Sequence, residues 1–222
     1  MKHQLSIVFP LLVLLISCGR FSNTDEKQAD GERIVCLSKQ YNEIIFALHA
    51  EKNLVAVDLS STYPPAIKKL PTVGYHRALS AEGILAMKPT LVLHDNNVGP
   101  ESVMDQLNSL KIPMKVFESK GQDHESTKSL IREMGAWFNK KAEADSLNKK
   151  LDSDMTKAVE VSGRFTKPVK VVMIHYGRAS DIYLTMTESS FGAKLIGWAG
   201  GEIPIEGERG MIPLSAELVA KA

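Results

Sequence analysis

Pro71-Thr72-Val73-Gly74-Tyr75-His76-Arg77-Ala78-Leu79-Ser80-Ala81-Glu82-Gly83 sets a tyrosine, a histidine and an arginine side by side, directly ahead of a helix start. Ser80 reads as the N-cap, because its hydroxyl can accept from the unpaired N–H groups of the first turn, and Glu82 makes that turn acidic. The helix is expected over residues 81–87 and ends before Lys88-Pro89. Leu91-Val92-Leu93 then reads as a buried strand. Tyr75, His76 and Arg77 therefore fall in a loop feeding a helix, where α/β folds place side chains that touch ligands.

Outward from that loop the chain alternates strand and helix. Strands are expected at 34–37, 54–57, 91–93 and 114–117, and helices at 42–48, 81–87 and 102–110. Such alternation predicts an α/β lobe over residues 33–121, with a parallel sheet covered on both faces. Leu130, Met134, Trp137, Ala144, Leu147, Leu151, Met155 and Ala158 recur at spacings of three, four or seven. They predict one long helix inside a linking segment, 122–163. A second α/β lobe with a mostly parallel sheet is expected over 164–222, from a strand at 169–174, another at 182–184 and a helix at 191–198. Pro213-Leu214-Ser215-Ala216-Glu217-Leu218 echoes Ala78-Leu79-Ser80-Ala81-Glu82-Gly83 and puts Gly210 opposite Tyr75. In the first lobe that helix leads into another strand. A parallel lobe without its later strands exposes an unpaired edge, so the second lobe is expected to be incomplete and the protein longer.

Residues 1–18 read as a targeting segment. A short basic start precedes an apolar run, 5–16, that is too short to span a bilayer. Ser17-Cys18 closes it like a bacterial lipobox, in which Cys18 is acylated and becomes the mature N-terminus; an ordinary signal peptide is the alternative. Acyl chains hold a protein to a membrane by roughly 0.8 kcal/mol per buried CH₂. Residues 19–32 are polar and read as a flexible tether. Cys36, inside Ile34-Val35-Cys36-Leu37, is expected as a buried small hydrophobe. Twenty-seven Lys and Arg against 26 Asp and Glu give a net charge of +1 and no electrostatic reason to expect nucleic acid. None of the nucleotide-loop, nucleophile-elbow, H-E-x-x-H or C-x-x-C patterns occurs, so no enzyme activity is expected.

A tyrosine oxygen is a hard anionic donor once deprotonated, which in water happens at a pKa of about 10. A neighbouring guanidinium favours the phenolate, and tyrosinate is among the axial ligands of haem iron. On the residues alone, a solvated loop and an iron-binding loop both stand.

Gly74-Tyr75-His76-Arg77-Ala78-Leu79-Ser80-Ala81-Glu82-Gly83 resembles the G-Y-x-R-x-L-S-A-E-G signature of haem-binding substrate-binding proteins of bacterial ABC importers. Thr62-Tyr63-Pro64-Pro65, Leu70-Pro71-Thr72-Val73-Gly74 and Asn42-Glu43-Ile44-Ile45-Phe46-Ala47-Leu48 are similar to that family too, and the resemblance runs from about Arg33 to the C-terminus. It implies two α/β lobes joined by a helix, with haem captured in the cleft. Tyr75 is then the iron ligand, Arg77 holds its oxygen as phenolate, and His76 is a competing ligand. His175, at the end of the second lobe's first strand, is a possible second ligand. Arg178 and Arg209 are placed to pair with haem propionates, and Tyr63 to line the cleft. Glu43 matches an acidic residue that docks on the ABC permease, which works with its ATPase. Its counterpart in the second lobe falls near Ala193, with Glu202 as a substitute. The implied location is extracytoplasmic (periplasmic), with the chain lipid-anchored to a membrane. Cobalamin or ferric-siderophore binding in the same fold is an alternative, and a haem-handling or chelatase-like enzyme another. His49, His94 and His124 show no metal-ligand spacing.

Overall fold

Strand β1 (Ile34–Cys36) is apolar without interruption because it runs through the middle of a sheet covered on both sides. A computed structural model describes residues 31–164, 166–177 and 182–221. The expected targeting segment 1–18 with Cys18, nearly all of the expected tether 19–32, and Arg178 lie outside the described residues. Strands β1, β2 (Leu54–Val57), β5 (Leu91–Leu93) and β6 (Met114–Lys115) pair in parallel in the order β2-β1-β5-β6. Between β2 and β5 lie the short strands β3 (Gly74–Tyr75) and β4 (Ala78–Leu79), which form their own antiparallel hairpin.

Side chains alternate across β1, so consecutive residues enter different cores. Ile34 and Cys36 pack with Tyr41, Ile45 and Leu48 of the α1 region (Lys39–Ala47), and with Leu130 and Met134 of α4 (His124–Trp137). Val35 and Leu37 pack on the other face with Ile84 of α2 (Ala81–Ala86) and Leu107 of α3 (Glu101–Ser109). Fully burying each such side chain contributes about 1.5–3 kcal/mol. Ser38 caps α1 and Ser80 caps α2, each accepting from the backbone N–H three residues on.

The single helix expected across 123–161 is two helices. Helix α4 starts at a capping box between Asp123 and Ser126 and ends at Phe138. Asn139 then takes a left-handed φ of 57°, and α5 (Lys141–Ser162) begins. Asparagine tolerates that conformation, so the chain breaks its helix without Gly or Pro at the turn. The apolar spacing survived because α4 and the first half of α5 pack on one core, through Leu130, Met134, Ala144, Leu147 and Leu151. Gly135 permits their close approach, since a Cβ there would press on Ala144 and lie 3.1 Å from the Lys140 carbonyl.

Beyond α5 the α/β character continues with a different pairing from the mostly parallel sheet expected. The anticipated strand 169–174 is split into β7 (Val169–Lys170) and β8 (Ile174–Gly177). Strands β8, β9 (Ile182–Met186) and β11 (Met211–Pro213) form an antiparallel sheet in the order β11-β9-β8. The link from Gly177 to Ile182 is too short for a crossover, and parallel neighbours need a dozen or more residues between them. Among the described residues beyond α5, β7 and β10 (Gly201–Glu202), separated by β8, β9 and α6 (Phe191–Trp198), are the one parallel pair. Helix α7 (Ala216–Lys221) follows β11. Among the described residues no helix is long and apolar enough to cross a membrane.

Candidate ligand-binding cleft

The hairpin β3–β4 turns tightly at His76-Arg77, with Tyr75 opposite Ala78 and Gly74 opposite Leu79. Gly74 has a φ of +106°, a conformation open to glycine and strained for other residues. The hairpin is clamped on both sides. Leu59 N–H donates to the Gly74 carbonyl at 2.8 Å, Gly99 N–H to that of His76 at 2.8 Å, and Leu79 N–H to that of Gly99 at 2.9 Å. A two-residue turn held this way projects its side chains from a rigid base.

Tyr75 remains 46% exposed, and its ring leans on the His76 ring with centroids 4.4 Å apart. His76 Nδ1 faces the buried Asp58 carboxylate at 3.4 Å and Ser60 Oγ at 3.3 Å. Arg77 does not reach back toward the phenol as the sequence suggested. Its Nε and Nη2 both donate to Asn97 Oδ1, at 3.1 and 2.6 Å, because the hairpin packs against the 97–99 loop.

Asp58 sits just beyond the carboxyl end of β2 and is wholly buried. Ser60 N–H donates to it at 2.9 Å and Ser61 Oγ at 2.5 Å, and Ser60 Oγ donates as well. Ser61 Oγ in turn accepts from Asn42 Nδ2 at 2.8 Å. A chain of polar contacts thus runs from α1 through Asn42, Ser61 and Asp58 to His76. Hydrogen bonds to a charged acceptor contribute about 1.5–3 kcal/mol each, which offsets the burial of the carboxylate.

A cleft of about 440 Å³ opens beside this network, lined by Ser38, Glu43, Ser60, His76, Asp95 and Phe191 among others. Ser38 and Asp95 follow the carboxyl ends of β1 and β5, the edge at which open α/β sheets take ligands. Phe191 comes from α6, so residues on both sides of α5 wall the cleft. Lys194 Nζ lies 3.9 Å from the Asp123 carboxylate, a second link between the same parts.

Of the residues singled out in the sequence, His76 and Glu43 line this cleft, and Tyr75 touches it only through its ring contact with His76. Tyr63 is exposed at the start of the 58–70 connection. His175 is exposed on β8, paired with Leu184, and Arg209 is exposed between β10 and β11. Asp58, Ser60, Ser61, Asn97 and Phe191 went unnoticed. For the first three a signal was present, since Asp58-Leu59-Ser60-Ser61 directly follows an apolar strand at the ligand edge.

Other ionisable groups nearby are explained by packing. Burial pushes the Cys36 thiol well above its ordinary range, so it is a hydrophobe rather than a nucleophile. Burial also raises the Tyr41 phenol to about 12, while its oxygen accepts from Phe117 N–H at 3.2 Å. His94 is held below its usual value by burial, and its Nδ1 accepts from Asn96 N–H at 3.3 Å. His124, credited with no metal-ligand spacing, does meet Glu125 and Asp152, with one ligand atom of each within 4.8 Å of the others. The Lys128 ammonium, 2.8 Å from Asp152 and 3.4 Å from Glu125, already supplies the cation there, so the cluster is an ion-pair network joining α4 to α5.

The chain belongs to the periplasmic binding protein family, whose model matches residues 34–222. That family is one of binding proteins rather than enzymes. Among solved structures, the chain is similar to the periplasmic heme-binding protein RhuT from Roseiflexus sp. RS-1 in apo form, with 32% identity and a TM-score of 0.75. That match covers 85% of this chain and 72% of RhuT. The periplasmic heme-binding protein HutB of Vibrio cholerae is 31% identical with a TM-score of 0.71, again over 85% of this chain and 72% of that one. A vitamin B12-binding protein of Yersinia pseudotuberculosis serotype O:1b (strain IP 31758) is 39% identical over 111 residues. The aligned stretch is 48% of this chain and spans only 38% of that relative's length.

Proposed function

We propose that the chain is an extracytoplasmic, lipid-anchored substrate-binding protein that captures haem in its cleft and delivers it to an ABC importer. The observation that carries this reading is Tyr75, held half-exposed against the cleft-lining His76 on a hairpin that backbone hydrogen bonds fix on both sides. A phenolic oxygen so placed can take ferric iron without rearranging its support. The identity to two heme-binding proteins over most of the chain supports the same ligand. Tyr75 is the proposed iron ligand and His175 a second one. Arg178 and Arg209 are proposed as partners of the propionates, because a guanidinium matches carboxylate geometry. Tyr63 flanks the macrocycle. Glu43 is proposed to dock on the permease, which the ATPase drives, and Cys18 to carry the lipid.

Cobalamin is the second reading, favoured by the 39% identity to a vitamin B12-binding protein. Absorbance titration of the purified apo-chain with hemin and, separately, with cobalamin decides between them. Stoichiometric hemin uptake with a high-spin phenolate spectrum supports the haem reading. Uptake of cobalamin and not of hemin overturns it.

A further inference from the structure

The oxygens under His76 decide which of its ring nitrogens carries a hydrogen. Asp58 is surrounded by donors, namely the Ser60 N–H and the hydroxyls of Ser60 and Ser61, so toward His76 it is an acceptor. The Ser60 hydroxyl hydrogen is already directed at Asp58, so the oxygen that meets His76 Nδ1 at 3.3 Å presents lone pairs as well. Two acceptors converge on Nδ1, and an unprotonated Nδ1 would face both without a hydrogen between them. The hydrogen therefore belongs on Nδ1, and in the neutral ring Nε2 is the nitrogen that carries the lone pair. The ring lines the cleft with its side chain 16% exposed and touches the Tyr75 ring. An imidazole that donates its second N–H to a carboxylate is the arrangement that orients histidines for metal binding and raises their basicity as ligands.

We propose that His76 is a metal ligand of the cleft through Nε2, with Asp58 and Ser60 as positioning residues that fix its Nδ1–H tautomer. A metal entering beside Tyr75 then meets a hard oxygen donor and an imidazole nitrogen on adjacent residues of one rigid turn. Imidazole suits iron, zinc, copper and nickel. Iron as the metal, held in a porphyrin, rests on the haem reading above; the tautomer does not.

Long-range nitrogen–proton NMR spectra of the full apo-chain at neutral pH are expected to show His76 protonated at Nδ1 and bare at Nε2. Asp58→Ala/Ser60→Ala, which removes both acceptors, should spread the hydrogen over both nitrogens, whereas Asp58→Asn keeps an oxygen toward Nδ1 and should largely retain the tautomer. An Nε2–H tautomer in the wild type overturns the proposal and leaves the haem reading standing. In hemin titrations, Tyr75→Phe/His175→Gln should retain a nitrogen-ligated spectrum that Tyr75→Phe/His175→Gln/His76→Gln loses. Adding Asp58→Asn to Tyr75→Phe should weaken hemin binding by about 10–100-fold. Equal spectra and affinities with and without His76 in that background overturn the proposal. If the wild type takes up no hemin, the haem reading falls on its own. A Zn(II) titration followed at the His76 nitrogens then decides: a shift at Nε2 supports the assignment, and silence overturns it.

Discussion

Replacing Asp58 by Asn keeps the shape of the side chain and exchanges one acceptor oxygen for an NH₂ donor. The replacement has two ways to sit. With its nitrogen on the Oδ2 side it confronts both the Ser60 N–H and the Ser60 hydroxyl. With its nitrogen on the Oδ1 side it confronts only Ser61 Oγ, which already accepts from Asn42 Nδ2, and the Ser61 hydrogen is left without its partner. The second is cheaper. It still orphans one buried donor, at about 1–3 kcal/mol, and turns the remaining charge-assisted bonds into neutral ones, each weaker by about 1 kcal/mol. With two such bonds, from the Ser60 N–H and hydroxyl, the sum is a loss of roughly 3–5 kcal/mol, which at about 2–4 °C per kcal/mol for a chain of this size lowers Tm by roughly 6–20 °C. Urea unfolding followed by far-UV circular dichroism measures it directly. Ser61→Ala should share part of the same loss, so the double mutant should fall short of the sum of the singles. An Asp58→Asn midpoint shift worth less than about 0.5 kcal/mol, or full additivity with Ser61→Ala, refutes the network reasoning.

Two further outcomes follow from packing and charge. His94 has a folded pKa below its ordinary value of about 6.5, so between those two values the unfolded chain binds the extra proton and the native chain does not. Stability should therefore fall as pH drops below about 6.5 and level off once the folded value is passed; His94→Gln should flatten that part of the profile in thermal melts taken from pH 7 to pH 5. Gly135→Ala gains about 1 kcal/mol of helix propensity but drives a methyl onto Ala144, so net destabilisation of about 1–3 kcal/mol is expected in urea unfolding, and a stabilised variant contradicts the close α4–α5 contact.

The first lobe was legible in the sequence because local signals and tertiary demands coincide there. The apolar runs at 34–37 and 91–93 can only be central strands, and Ser80 caps α2 as its neighbours suggest. The break at Asn139 was not legible, since an apolar stripe carried on two packed helices keeps the spacing of one. Nor was the antiparallel pairing of β8, β9 and β11 read correctly. Strand-like segments show no direction in themselves, although the short link from Gly177 to Ile182 bore the clue. At the site, the motif singled out Tyr75, His76 and Arg77 but gave no sign that Arg77 bonds Asn97. The partner at Asn97 lies 20 residues further on and meets it only through the clamped hairpin. Asp58 stayed hidden for a related reason. A single acid after a strand acquires meaning only once the fold brings His76 above it.

Titrating hemin into the apo-chain beside its Tyr75→Phe variant tests the proposed capture of haem most directly. The wild type is expected to bind one equivalent or more with a high-spin phenolate-type spectrum, and that spectrum is expected to vanish in Tyr75→Phe. An unchanged spectrum in the variant, or no hemin uptake by the wild type, would contradict a tyrosine-held iron beside His76.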